Sequence, residues 1–236
     1  MRAQYIYLHF FVLLLLFTSK SQVLFKMGDY RNLTYSSAGY NGSFGNVTFG
    51  IARRDYIRVI KKEVIGILDV SIHITNQFFT RHVVKKGLQI NLYKNKTFKI
   101  PFTFASSSIV RQNSLFKYHD VTSEFTLNPG IYNEKFTLAF DLKYELILFR
   151  YIKYSQQYRQ NIDSNAVNHW TQPLFDVFKF GVVGGLNFKR WVVYMKTGYE
   201  RNPFSFKKYI PGYIVLGFGF KFGTKPMKNN LTKELH

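Results

Sequence analysis

The sequence predicts an all-β chain: an up-and-down antiparallel transmembrane β-barrel of about ten strands, with eight or twelve also compatible with the pattern. Three observations predict it. Segments of alternating apolar and polar residues recur from Val47 to Phe222, and alternation at period two marks strands rather than helices. The composition leans the same way, since 19% of residues are aromatic, with 25 Phe and 17 Tyr, types that favour strands. The connections alternate between short and long, as they do in a membrane barrel with tight turns on one rim and larger loops on the other.

Residues 1–21 read as a cleavable signal peptide. Arg2 precedes the apolar run "YIYLHFFVLLLLF", and Ser19 and Ser21 supply the small residues of a cleavage site before Gln22. The run has 13 residues, short of the roughly 20 a spanning helix needs. Residues 22–43 are rich in Ser, Tyr, Asn and Gly without clear period, and read as an extended N-terminal segment. The barrel is assigned to residues 44–222 and a basic C-terminal tail to 223–236. Apolar rows mark strands at 47–51, 68–74, 88–92, 98–104, 121–127, 136–148, 178–188, 191–195 and 214–222, and a short strand at 56–60 completes ten. Short turns fall at 61–63, 94–96, 128–133 and 189–190, and longer loops at 76–86, 106–117, 151–173 and 202–210. Pro101 interrupts the row at 98–104, where a missing ladder donor calls for an edge or a bulge.

Period two alone does not separate a sandwich strand from a lipid-facing one. The bulk of the apolar rows, the leader and the aromatic last strand decide for lipid, because backbone inside a bilayer is satisfied only in helices or closed barrels. Phe136, Leu138, Phe140, Leu142, Tyr144, Leu146 and Leu148 are therefore expected to face lipid, as are Ile214, Leu216, Phe218, Phe220 and Phe222. The opposite rows place Asp69, Lys99, Asp120, Glu124, Asp141, Lys143, Glu145, Lys179, Lys196, Glu200 and Lys221 in the lumen. Buried charges are tolerated when partnered, and ten strands make a barrel nearer the filled eight-stranded kind than the roughly 16-stranded porins. A narrow or occluded lumen is the expectation. Tyr93, Tyr132, Trp170, Trp191 and Tyr209 are candidates for interfacial aromatic girdles.

The formal net charge is +20, which favours anionic partners. The basic residues are scattered, which together with export argues against nucleic acid. Arg81, Lys85, Lys86, Arg111, Lys117, Arg159, Lys207 and Lys208 read as rim or loop residues able to meet lipopolysaccharide phosphates. The chain has no Cys, which excludes disulfides, thiolate metal sites and a Cys nucleophile. No metal spacing or Gly-rich phosphate loop is present, so no metal and no cofactor is expected. Asp69, Ser71 and His73 share one strand face and hold the residue types of a hydrolytic triad. Same-face neighbours stand roughly 6.6 to 6.8 Å apart, too far for direct hydrogen bonds, so the row reads as polar lumen lining.

The leader ending before Gln22, the many Tyr/Phe strands and the last strand "GYIVLGFGFKF" together resemble Bacteroidota-type outer-membrane β-barrel proteins of the uncharacterised, porin-like kind. That resemblance implies export to the cell outer membrane, contact with its lipid and lipopolysaccharide, and insertion by the barrel-assembly machinery through the final aromatic strand. In the family pattern the aromatic closes the chain, whereas here residues 223–236 follow it. The function expected is non-enzymatic: a barrel with a narrow, charge-filled lumen in a structural, surface-contact or limited transport role. The alternatives are a barrel-embedded lipid hydrolase of the deacylase type and a soluble extracytoplasmic barrel that carries a ligand.

Overall fold

A computed structural model describes residues 30–41, 44–57, 62–74, 80–172, 176–201 and 212–224. In chain order its strands are β1 (Tyr30–Asn41), β2 (Phe44–Ile57), β3 (Lys62–Ile74), β4 (Thr80–Lys94), β5 (Phe98–Gln112), β6 (Phe116–Leu127), β7 (Gly130–Tyr132), β8 (Phe136–Tyr154), β9 (His169–Thr171), β10 (Asp176–Asn187), β11 (Trp191–Arg201) and β12 (Gly212–Thr224), with one short helix, α1 (Gln156–Asn161), between β8 and β9. Ten strands form a closed antiparallel barrel, and β7 and β9 are additions at its ends. The seam is closed by β12 against β1, in continuous register from Tyr30 opposite Thr224 to Asn41 opposite Tyr213.

The strand number agrees with the sequence reading, but the strands that make it up differ. Residues 30–41 are not part of a preceding segment; they form β1, so the barrel spans 30–224 rather than 44–222. The rows at 47–51 and 56–57 belong to the single strand β2. The loops expected at 76–86 and 106–117 are largely strand, since β4 begins at Thr80 and β5 runs to Gln112. The connection expected at 151–173 likewise starts only after β8 ends at Tyr154. Leader residues 1–21, most of the tail 223–236 and Tyr209 lie outside the described residues.

Several turns share one local chemistry. Asn95, Asn113 and Asn133 each close a hairpin by donating their backbone N–H to the carbonyl of a Phe three residues on, at 2.8, 3.0 and 3.1 Å. The Asn113 side chain accepts from Leu115 and Phe116 N–H, and the Asn133 side chain from Lys135 and Phe136 N–H. These are turns in which an Asn side chain substitutes for a backbone acceptor. Pro101 sits opposite Asn91, beside the register shift between Asn91 and Tyr93 in β4, so the lost donor falls at a bulge.

The wall is apolar outside and polar inside. Along β8, Phe140 is 62% and Leu142 37% exposed, whereas Asp141 and Lys143 are 1% and 5% exposed. The same outward exposure holds for Phe136, Leu138, Tyr144, Ile214, Leu216, Phe218 and Phe222, and Phe220 is covered partly by Trp191, 4.5 Å between ring centres. Ten residue steps from Phe136 to Leu146, at roughly 3.4 Å each and a tilt of about 40°, give an apolar band about 26 Å tall. A row in mutual register, Lys86, Ser106 and Ser123, ends the band on β4, β5 and β6, and those strands continue above it.

Leu148 departs from the expected lipid-facing row. Thr122 pairs with Ile147 and Val121 with Phe149, so Leu148 is the extra residue of a β-bulge. Beyond it the alternation is reversed, and Arg150 turns inward to reach Asp120.

Candidate functional site in the barrel lumen

The middle of the lumen is a network of charges that begins with two like-charge pairs. Glu124 stands opposite Glu145 across β6 and β8, an arrangement that is destabilising by itself. Lys143 answers it, with Nζ 2.6 Å from Glu124 and 3.5 Å from Glu145, and Lys85 Nζ adds a contact to Glu124 at 3.1 Å. Lys143 in turn stands opposite Lys179, which is paired to Glu200 at 2.7 Å. Asp141 is ion-paired to Lys196 and accepts hydrogen bonds from Asn128 Nδ2 at 2.8 Å and the Tyr213 hydroxyl at 3.1 Å. The lysines and acids are thereby desolvated together, which is the condition under which buried charge is tolerated.

Towards the end where β1 begins and β12 ends, the lumen is closed by apolar side chains. Leu33, Tyr35, Ala52, Ile67, Val192 and Tyr194 form one buried cluster, and Tyr132, Ala139 and Val183 a second. The large rings fit because inward glycines face them. A Cβ at Gly50 would run into the Tyr35 ring, and one at Gly217 into the Tyr194 ring. Between floor and mouth a cavity of about 150 Å³ remains, lined by Asp69, Lys85, Glu145, Lys179 and Lys196 among others.

At the opposite end, above the apolar band, Asp120 is fully buried and gripped by Arg150 through two hydrogen bonds of 2.6 and 2.9 Å. Arg111 approaches the same carboxylate at 3.6 Å. Arg81 stands directly opposite Arg111 on the inward face.

Each acid and lysine predicted for the lumen lies on the inward row of its strand, including Lys99, whose Nζ sits 5.7 Å from the centre of the Tyr132 ring, and Lys221, whose Nζ donates to Phe188 O at 3.2 Å. Arg81, Lys85 and Arg111, read from sequence as loop cations, are inward strand residues. Arg54 and Arg150 are further inward cations that the sequence reading missed. Tyr132, a girdle candidate, is instead buried in the lumen, its hydroxyl donating to Asn128 O at 2.7 Å. Tyr93, Trp170 and Trp191 are exposed.

Of the triad candidates, Asp69 is buried and Ser71 Oγ is hydrogen-bonded to Thr48 Oγ1 at 2.8 Å. The side chain of His73 lies outside the described ones. A different Ser–His contact joins Ser108 Oγ to His119 Nε2 at 2.8 Å on the outer face. Among the described residues no carboxylate is hydrogen-bonded to His119, and no group of three or more His, Asp or Glu is arranged to hold a metal ion.

The chain resembles outer-membrane β-barrels. The translocator domain of the autotransporter NalP from Neisseria meningitidis is 12% identical, over 83% of this chain and 89% of that one, with a TM-score of 0.48. The β-domain of the Bordetella autotransporter BrkA is 9% identical over 83% and 100%, TM-score 0.42, and the NanC porin 10% identical over 80% and 100%, TM-score 0.40. No protein-family model matches the sequence, and no curated protein matches it.

Proposed function

We propose that the chain is an outer-membrane β-barrel with a closed lumen, non-enzymatic, acting through its structure and its outer surface and not as a diffusion pore. One observation carries this reading: paired charges fill the mid-lumen above an apolar floor, leaving about 150 Å³. Moving an ion through would require breaking several desolvated pairs, each of which costs kilocalories per mole to separate. The inside-out polarity supports residence in lipid, in contrast to a soluble carrier. The signal peptide, the Bacteroidota-type pattern, the assembly machinery and lipopolysaccharide contact belong to the same proposal and rest on the sequence.

The test is reconstitution of the refolded protein in a planar bilayer at high salt. Absence of resolvable conductance steps is expected, and a sustained open level overturns the closed-lumen reading. The soluble-carrier alternative is decided by fractionation, since a protein released with the periplasm and needing no detergent cannot be this barrel. For the hydrolase alternative, a serine-reactive fluorophosphonate is expected to leave both Ser71 and Ser108 unlabelled.

A further inference from the structure

We infer that Arg81, Arg111 and Arg150 form a binding site for a phosphate or sulfate group in the mouth of the barrel remote from the start of β1 and the end of β12. Among the described residues four like-charge pairs of the inward rows stand directly opposite across neighbouring strands: Glu124 with Glu145, Lys143 with Lys179, Arg81 with Arg111, and, at the other rim, Lys94 with Lys99, where Lys94 meets Glu63 at 3.6 Å. The first is bridged by Lys143 and the second is answered by Glu200 and Glu124. The third has Asp120, whose two oxygens are already taken by Arg150 in a two-pronged contact, and the more distant Glu145.

Two guanidiniums therefore share one carboxylate, and a third, Arg81, stands opposite one of them. Arg111 reaches that carboxylate only at 3.6 Å, and Arg81 makes no hydrogen bond or ion pair within 4.0 Å among the described residues. A further acid facing the pair, Glu145, is shared with Lys143 at 3.5 Å. The buried Nε of both Arg81 and Arg111 lacks an acceptor among the described residues. Buried donors of this kind are rarely left unsatisfied, and opposed like charges are unfavourable without a counter-charge.

The geometry selects the ligand class. Forked guanidiniums match the spaced oxygens of a tetrahedral oxyanion better than a point anion such as chloride. Three guanidiniums set against Asp120 and a Glu145 already shared with Lys143 leave a positive excess that an oxyanion offsets. The Arg111 side chain keeps 33% of its surface exposed, so the cluster is reached from the mouth. Tyr118, with the Arg150 guanidinium 4.9 Å from its ring centre, fixes the orientation of that side chain. The oxyanion is either the free ion or the terminal group of a phosphorylated or sulfated sugar. The inference adds a ligand to the closed-barrel reading without requiring that anything pass through.

The experiment uses the full chain refolded in detergent, its folding checked by heat-modifiable gel migration. Calorimetric titration with sodium phosphate and sodium sulfate, against sodium chloride at equal ionic strength, is expected to show saturable binding of the oxyanions alone. Arg81→Gln and Arg111→Gln are each expected to weaken it at least tenfold, and Lys86→Gln, on the outer face, to leave it unchanged. In chloride, Arg81→Gln is expected to melt above the parent because the opposed pair is relieved, and below it in saturating phosphate. No saturable binding, or equal binding by all variants, overturns the site.

If the arginine variants do not refold, phosphate must slow phenylglyoxal modification of Arg81 and Arg111 in the parent but not that of Arg53; equal rates overturn the site as well. Tighter binding of glucose 1-phosphate than of inorganic phosphate assigns the ligand to a sugar ester, and the reverse order to the free ion. A barrel that binds phosphate but conducts ions sinks the closed-lumen reading alone, and a closed barrel indifferent to phosphate sinks this one alone.

Discussion

Lys143 touches both Glu124 and Glu145 from a position 5% exposed. Lys143→Met would leave the two carboxylates opposed without the cation that bridges them, and removing one member of such a group costs about 3–5 kcal/mol. Urea unfolding of the refolded protein measures this, and a loss below about 1 kcal/mol would mean that water already screens the network. The fitted rings give a second residue-level prediction. Gly217→Val is expected to destabilise by more than about 2 kcal/mol through overpacking against Tyr194, and Tyr194→Ala in the same chain to recover part of the loss, a coupling that a double-mutant cycle reads directly. The inward position of Asp141 and Lys143 was legible because Phe140 and Leu142 flank them with bulky hydrocarbon. Arg81 and Lys85 were not legible, because the residues between and beyond them, His82, Val84 and Lys86, mix polar and apolar on the outer face above the apolar band, so alternation carries no contrast.

At the level of elements, β1 is the strand that pattern reading missed. Its lipid side is Asn32, Thr34, Ser36, Ala38 and Tyr40, while Leu33 and Tyr35 point inward into the floor, so the usual contrast is inverted. Only pairing with the Phe-rich face of β12 places it. The tight turn at Asn113 was missed for another reason: the polar run through Ser106–Ser108 looks like loop, yet it is strand with small residues. A readable signal was nonetheless present, since Asn-x-x-Phe recurs at 95–98, 113–116 and 133–136. The Asn113 side chain accepts two backbone N–H groups. At about 0.5–1.5 kcal/mol per hydrogen bond, Asn113→Ala is expected to cost about 1–3 kcal/mol, measured as a fall in the urea midpoint. No change would show that the hairpin holds its register without the side chain.

The whole molecule follows from one division, hydrocarbon out and charge in, and that division was readable from the sequence across β8 and β12. Phe140→Arg is expected to cost about 2–4 kcal/mol, as for a cation near the bilayer midplane, when the protein is folded in lipid vesicles. The same substitution at Val84, above the band, is expected to cost less than about 1 kcal/mol; equal penalties would put the membrane boundary elsewhere. Leu148 is where the division is reset. Deleting that one leucine would restore strict alternation along the upper part of β8 and slip its phase by one. Arg150 would be handed to the outside and Phe149 to the mouth, and Asp120 would lose both of its shortest contacts. A deletion with no charge of its own would thus unmake an electrostatic site.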